Sequence, residues 1–384
     1  MPKNKPNVFD GQAIGASEFF QTHWQQAPYL FKQTGIDLSC LPDAEELFAL
    51  AGTEGVQSRI VFTEDQRCYQ AIYDEPEAWN AVAHHHPTLL VSDIEKWYPD
   101  ARQLLAWFPF IKSWRFDDLM MSFAPEGASV GAHTDHYDVF LLQVQGSRQW
   151  SYDNQATNDP AWVSDSELAV IEQHQAEHTV ELQAGDMLYL PPGVVHHGIS
   201  TSSDCVTCSI GLRAPADAEL LQAVVELATQ DWPPSQRFTD DVNQLESLAD
   251  IGTHEIQSLR TLLQNLSQAD DANLARWFGQ AVTQYRLFDD EPADYLPSVK
   301  SDANLALQTS PFAVLAYHIE NQTSANLFVN GEAYQCSVQL AKVLCDQSEF
   351  QWQELKHLAG TEMSDLRLLH QLIEAGVLIK APVN

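Results

Sequence analysis

The sequence predicts an α+β protein in three parts: a β-barrel or double-sheet jelly roll, a helical stretch, and a winged-helix-like tail. Three observations carry that expectation. Between Asp117 and Leu212, short apolar or alternating runs are separated by Gly-containing turns, the pattern of closed or double-layered antiparallel sheets. From Ala218 to Tyr285, apolar residues recur at three- and four-residue spacing, which is helical. Beyond Ala313, two strand-like runs are followed by three helical ones and a last short strand. A chain of 384 residues exceeds one ordinary core, and its 45% apolar content is enough to pack two or three.

Taken in order, Ser17 is placed to cap a helix with Phe19, Phe20 and Trp24 on one face, and Asp43 opens a second helix through Leu50. A third runs from about Asp93 to Phe108, after His84, His85 and His86. Strands are expected at Leu119–Ala124, Val139–Val144, Trp150–Tyr152, Thr179–Leu182, Asp186–Leu190 and Val206–Leu212. Helices follow at Ala218–Gln230, from Asn243 to about Leu266, and at Asp271–Tyr285, then a linker over Phe288–Pro297. In the tail, Ala313–Ile319 and Ala325–Gln335 are strand-like, and Asn330-Gly331 signals a hairpin turn. Helices at Val338–Cys345, Phe350–Ala359 and Asp365–Glu374 precede a strand at Val377–Ile379.

Charge narrows the function. The net charge of −33, from 20 basic and 53 acidic residues, opposes binding to a phosphate backbone and suits a basic partner. Winged helices commonly bind DNA, but this tail offers only Lys342, Lys356, Arg367 and Lys380. Asp346, Glu349, Glu354, Glu362, Asp365 and Glu374 oppose them, so no direct DNA binding is expected. The six cysteines are scattered, unlike a disulfide framework, and Cys205 and Cys208 would face opposite sides of one strand. No apolar run reaches the ~18 residues of a membrane span, so the protein is expected to be soluble and cytoplasmic.

The chemistry is concentrated in Gly131-Ala132-His133-Thr134-Asp135 and, far downstream, Leu190-Pro191-Pro192-Gly193-Val194-Val195-His196-His197. In an extended strand, His133 and Asp135 project to the same side. A second imidazole from a distant strand completes a two-His, one-carboxylate set, which leaves half of an octahedral ion open, as in non-haem Fe(II) oxygenases. Two open positions suit a bidentate 2-oxo acid and the third suits dioxygen. His196 and His197 cannot both face the metal, and parity alone does not choose. His174 and His178 stand four apart among Glu172, Gln173, Gln175 and Glu177, which marks a solvated surface. His84, His85 and His86 point in different directions.

Asp117-Asp118-Leu119-Met120, His133-Thr134-Asp135, Tyr137-Asp138-Val139-Phe140, Gln145-Gly146-Ser147-Arg148-Gln149-Trp150 and Leu190 to His196 resemble JmjC-type 2-oxoglutarate oxygenases. The close resemblance is to the bacterial ribosomal-protein arginine hydroxylases (ribosomal oxygenases), with Ser209 to Pro215 fitting the end of that domain. The resemblance implies a double-stranded β-helix (a cupin-like jelly roll), then a helical dimerisation region and a winged-helix-like domain. The boundaries implied are 1–215, 216–300 and 301–384. It implies His133, Asp135 and His196 as iron ligands, with Fe(II), 2-oxoglutarate as cosubstrate, and dioxygen. The reaction implied is hydroxylation of an arginine β-carbon in a basic large-subunit ribosomal protein, protein sixteen, by a homodimer. The Gly-rich approach to the first ligand is diluted here by Glu126, Ala128 and Ser129.

A 2-oxo dicarboxylate needs a cation for its far carboxylate, and a planar guanidinium binds one bidentately. Arg148 and Arg213 compete for that role; the resemblance favours Arg148, with Ser122 as a second contact. An arginine substrate calls for carboxylates and an aromatic wall, for which Asp117, Asp118, Tyr137 and Ser209 are the candidates. No protein acid or base is nominated. The alternatives are an oxygenase acting on another residue or another basic protein, and a non-catalytic metal-binding cupin adaptor.

Overall fold

The computed structural model describes residues 6–65, 67–157, 160–212, 215–240, 249, 251–284, 305–360 and 363–381. Two compact units divide the chain, Met1–Ala214 and Pro215–Asn384. The first holds strands β1 (Tyr29–Phe31), β2 (Ser58–Thr63), β3 (Tyr69–Tyr73), β4 (Thr88–Val91), β5 (Leu119–Ala124) and β6 (Asp138–Gln145). β7 (Ser147–Ala156), β8 (His178–Gln183), β9 (Met187–Leu190), β10 (Val194–Ser200) and β11 (Cys205–Leu212) complete it. An eight-stranded sheet in the order β1-β9-β6-β11-β5-β4-β2-β3 faces a three-stranded sheet in the order β10-β7-β8, the jelly-roll layout expected.

Alternation along the strands sorts polar from apolar. On β11, Val206, Cys208, Ile210 and Leu212 enter the main core, while Cys205, Thr207, Ser209 and Gly211 lie on the other face. The N-terminal segment covers the outside of the large sheet with aromatic rings: Phe19 lies 5.0 Å from Tyr189, and Phe108 lies 5.1 Å from Phe140. A smaller core of Val139, Leu141, Trp150, Leu182, Leu188, Leu190 and Val194 fills the space between the sheets.

Several local expectations need correction. Ser17 does not cap its helix: Ala16–Thr22 starts two residues earlier than such a cap would place it, after Gly15, with no side-chain cap. The helix expected over Asp93–Phe108 is broken into Ile94–Trp97 and a tighter 3-10 segment, Pro99–Trp107. Pro99 explains the break, because it lacks an N–H and drives Tyr98 out of the helical region, to φ −123° and ψ 91°. Asp43, by contrast, closes a capping box with Glu46 at the start of Ala44–Ala51. Strands β1 to β4 had no counterpart in the sequence reading. β4 is buried at all four positions, so no alternation advertises it.

The second unit opens with helices Asp217–Thr229, Thr253–Ser267 and Asp271–Gln284. The expected helix start at Asn243, the linker Phe288–Pro297 and Arg213 lie outside the described residues. Strands Leu315–Ile319, Ser324–Val329 and Glu332–Ser337 form one sheet, and Ala306–Thr309 pairs with Glu349–Gln351 and Leu378–Lys380 in another. Asn330 and Gly331 both have positive φ, 48° and 87°, as the tight hairpin turn requires. Helices Val338–Asp346, Trp352–Ala359 and Met363–Glu374 complete the winged helix. The helix expected from Phe350 starts at Trp352, because residues 349–351 are taken up by a strand. Among the described residues no helix is long and apolar enough to cross a membrane.

Helix Asp271–Gln284 rests on the winged-helix hairpin at Gly279, where an added Cβ would stand 2.3 Å from the Phe328 ring. Gly279→Ala is therefore expected to lower the stability of this unit by about 1–3 kcal/mol through overpacking. A urea titration followed by tryptophan fluorescence checks it, and an unchanged midpoint would mean the contact is not tight.

Candidate metal centre

Two backbone hydrogen bonds of 3.0 Å, His133 N–H to the His196 carbonyl and His196 N–H to the His133 carbonyl, bind the segment before β6 to β10. Gly193 N–H donates to the Asp135 carbonyl at 2.7 Å and draws the Pro-Pro-Gly turn against the same segment. These bonds bring residues that are distant in sequence onto one rung. Ligand atoms of His133, Asp135 and His196 lie within 4.8 Å of one another, close enough for a single ion. His196 Nε2 stands 3.6 Å from Asp135 Oδ2, and the two imidazole centroids are 4.3 Å apart.

Both histidines are oriented by the same device. Nδ1 of His133 lies 3.0 Å from the Gly131 carbonyl, and Nδ1 of His196 lies 3.0 Å from the Val194 carbonyl. A carbonyl only accepts, so each Nδ1 carries the proton and each Nε2 offers a lone pair to the metal. Burial, then the neighbouring His133, lowers the His196 pKa to about 4, so the ring is held in the neutral, ligating form. Two imidazoles and one carboxylate from one hemisphere match the facial set for Fe(II).

The two adjacent histidines take opposite sides of β10, and it is His196 that is grouped with His133 and Asp135. His197 faces away and meets Ser129 Oγ at 2.9 Å. His174 is engaged with Asp153 at 3.0 Å, and His178 packs on Tyr152. His86 meets the Glu126 carbonyl, while the His84 and His85 rings lie against each other.

Arg148 lies on β7, opposite Ser200 of β10, on the same face as Trp150 and Tyr152. Its residue exposure is only 3%, and Nε and Nη2 have no hydrogen-bond partner. Burying a guanidinium edge unpaired is costly, so this edge fits an anionic ligand group. The Trp150 ring stands between, 5.6 Å from the Arg148 guanidinium and 5.8 Å from the His196 ring. Gly198 makes room for it, since a Cβ there would meet the indole at 2.6 Å.

On the facing sheet, one rung runs through Arg59, Leu90, Ser122, Thr207 and Gln143, each opposite the next. Ser122 is thus buried beside Thr207. Asp117 and Asp118 flank Gly211 through two backbone hydrogen bonds, and the Asp118 carboxylate occupies space that a Cβ on Gly211 would fill. Burial, with the charges of Asp135, Asp118 and Asp117, raises the Tyr137 pKa, which places this phenol in the field of all three carboxylates. Ser209 is half-buried on β11, opposite Met120 and Leu141. The sequence reading passed over Arg59, Gln143 and Thr207, and weighed Cys205 only as a partner for Cys208. Gln143 carried a usable signal, a polar side chain inside an otherwise apolar run.

Comparisons with known proteins agree with this geometry. Residues 103–220 match the family model described as JmjC domain, and residues 262–379 match ROXA-like winged helix. The chain is 29% identical over 270 residues to the ribosomal protein uL16 3-hydroxylase of Escherichia coli, which covers 70% of this chain and 71% of that one. It is 26% identical over 373 residues to a probable ribosomal oxygenase of Haemophilus influenzae, covering 89% and 88%. The structure of YcfD, a ribosomal oxygenase from Escherichia coli in complex with cobalt and 2-oxoglutarate, is similar with a TM-score of 0.78 at 25% identity. That likeness covers 96% of this chain and 99% of the other.

His196→Ala is expected to abolish calorimetrically measurable Co(II) binding, because it removes one of three protein ligands. His197→Ala should keep Kd within about threefold, since its ring faces away. Equal losses in both variants would refute the assignment of ligands by strand face.

Proposed function

We propose that this chain, a homologue of the Escherichia coli uL16 3-hydroxylase with a JmjC domain and a ROXA-like winged helix, is an Fe(II)- and 2-oxoglutarate-dependent protein hydroxylase. Its substrate is a ribosomal protein of the large subunit, uL16, hydroxylated at the β-carbon of an arginine. The observation that carries the reading is the convergence of His133, Asp135 and His196, with both Nδ1 atoms tied to backbone carbonyls.

When bound, iron and 2-oxoglutarate supply the oxidation of a C–H bond, with succinate and carbon dioxide as co-products. The protein contributes geometry. His133, Asp135 and His196 hold the metal from one side. Arg148 takes the far carboxylate of the cosubstrate with its unpaired guanidinium edge, and Ser122 adds a hydroxyl. Trp150 forms a wall beside the path from arginine to metal, with its ring 5.6 Å from the Arg148 guanidinium and 5.8 Å from the His196 ring. Asp117, Asp118 and Tyr137 form an acidic, aromatic wall suited to a guanidinium, and Ser209 lies on the neighbouring strand face. No side chain is assigned a proton-transfer role.

The charge of −33 suits a basic ribosomal protein, because long-range attraction raises the encounter rate. The same acidic balance in the tail favours a protein contact over DNA there. We place the enzyme in the cytoplasm, with its substrate. Residues 1–215 form the oxygenase domain, 216–300 the dimerisation region and 301–384 the winged helix. Support for a homodimer comes from Leu221, Ile251, Ile256, Leu259, Leu263 and Leu274, which expose large apolar side chains on and beside the helices of residues 217–284.

Incubation with Fe(II), 2-oxoglutarate and purified uL16 is expected to add one oxygen atom to an arginine-containing peptide by mass spectrometry. Arg148→Ala should raise the 2-oxoglutarate KM by at least about 30-fold, the cost of leaving a buried charge unpaired. A product peptide without added oxygen, from a metal-loaded and folded sample, would defeat the proposal. For the dimer, Leu259→Glu combined with Leu263→Glu should shift sedimentation equilibrium to the monomer mass. A dimer that survives both changes would remove these helices as the interface.

A further inference from the structure

The two imidazoles share one orienting device but not the same support beneath it. The Val194 carbonyl that faces His196 Nδ1 belongs to β10, where Val194 is paired with Ala156 of β7. The Gly131 carbonyl that faces His133 Nδ1 belongs to no strand. Backbone hydrogen bonds tie the chain on either side of it. The Ala128 carbonyl accepts from Ser200 N–H at 3.0 Å, and the Ala132 carbonyl accepts from Ile171 N–H at 2.8 Å. Gly131 itself stands at φ +86°, and a Cβ there would lie 2.8 Å from Val170 Cγ1 and 2.9 Å from Tyr69 Cε2. The position is therefore restricted to glycine, the residue with the most backbone freedom to lose. A carbonyl that aims a metal ligand thus sits on the least constrained residue type.

A side chain supplies what the strand ladder does not. Ser129 is buried, and its Oγ accepts from the Gly131 N–H at 3.0 Å. The same oxygen lies 2.9 Å from His197 Nε2, so the hydroxyl is anchored to β10 as well. Three hydrogen bonds run in series, from His197 to Ser129, from Ser129 to Gly131 and from Gly131 to His133. With its N–H held at one end and Ala132 tied at the other, the Gly131 carbonyl is left one direction, toward the ring. Ser129 is also one of the residues that dilute the Gly-rich approach to the first ligand.

We propose that Ser129 is a positioning residue for the metal. By holding the Gly131 peptide it keeps the carbonyl on His133 Nδ1, and so presents the Nε2 lone pair to the ion. The inference rests on His133 as a metal ligand. Partners that orient a ligating imidazole are worth about 10- to 100-fold in metal affinity. Without the Ser129 oxygen the glycine turns, the carbonyl leaves Nδ1, and the ring proton distributes over both nitrogens. His197 stands one bond further away. Its removal leaves the Gly131-to-Ser129 bond in place, in keeping with the small effect expected of His197→Ala.

Two measurements test this: Co(II) titration by calorimetry, and the His133 ring-nitrogen chemical shifts in metal-free protein, which report the tautomer directly. Ser129→Ala is expected to weaken Co(II) binding about tenfold and to turn a single Nδ1–H tautomer into a mixture. Ser129→Thr, which keeps the hydroxyl, should recover most of both. Ser147→Ala is the control, because Ser147 is equally buried but bonds to Thr201 Oγ1 at 2.7 Å rather than toward His133. It should keep the Co(II) Kd within about threefold. A folded Ser129→Ala protein with native Co(II) affinity overturns the proposal, and so does an equal loss in Ser147→Ala. Should Ser129→Ala fail to fold, Ser129→Cys offers a weaker acceptor at the same position and gives the same shift at smaller scale. Native affinity there overturns the proposal equally. Native Co(II) affinity in His133→Ala would instead defeat the ligand assignment beneath it.

Discussion

The reciprocal backbone bridge between His133 and His196 is the constraint on which the site depends. Each ring is oriented by its own stretch of chain, but only the bridge brings the two stretches together. The bridge puts the two residues opposite each other, and the carbonyl two residues before each ring then selects the Nε2 lone pair for the metal. The Gly193-to-Asp135 hydrogen bond brings the carboxylate's segment to the same place. Imidazole and carboxylate rotamers would otherwise have to be ordered by the ion alone, at an entropy cost that a pre-formed rung removes.

From that rung the two sheets distribute the remaining chemistry by strand parity. β7 presents Arg148, Trp150 and Tyr152 on one face, so a single strand runs from the buried guanidinium to the residue paired with His196. β11 sends Cys208, Ile210 and Leu212 into the core and leaves Cys205, Thr207 and Ser209 on the other side. The large apolar core offsets what the polar interior costs. Most of that interior is internally satisfied, as Gln143 illustrates. The Arg148 edge is among the exceptions, with Thr88 Oγ1, Arg115 Nε and Trp150 Nε1, and it is the one that carries a buried charge beside the Trp150 ring.

In the proposed function, the acidic surface and the carboxylates of Asp117 and Asp118 would act at different ranges on the same basic partner. The first works over a Debye length of about 10 Å and more weakly as salt rises, whereas the second works at contact. The second unit repeats the division between a packed core and a committed surface. Its winged helix closes around Leu327, Leu340, Leu344, Leu369 and Leu378, while the preceding helices leave apolar side chains exposed. Those exposed side chains are what the proposed dimer contact would cover.

Much of this was legible in the sequence because the signals were local. Strand alternation between Leu119 and Leu212, the His-x-Asp spacing, the Asn330-Gly331 turn and the Pro-Pro-Gly approach to His196 each act within a few residues. Strands β1 to β4 were not legible, being short, interrupted by 3-10 turns and, in β4, buried on both faces. The break at Pro99 was written in the chain and overlooked. Only the tertiary structure grouped His196 rather than His197 with His133 and Asp135, buried the Arg148 guanidinium beside Trp150, and set Ser122, Thr207 and Gln143 on one rung. Those outcomes depend on which strand lies beside which. Register across a sheet is a relation between distant segments that side-chain period alone does not contain.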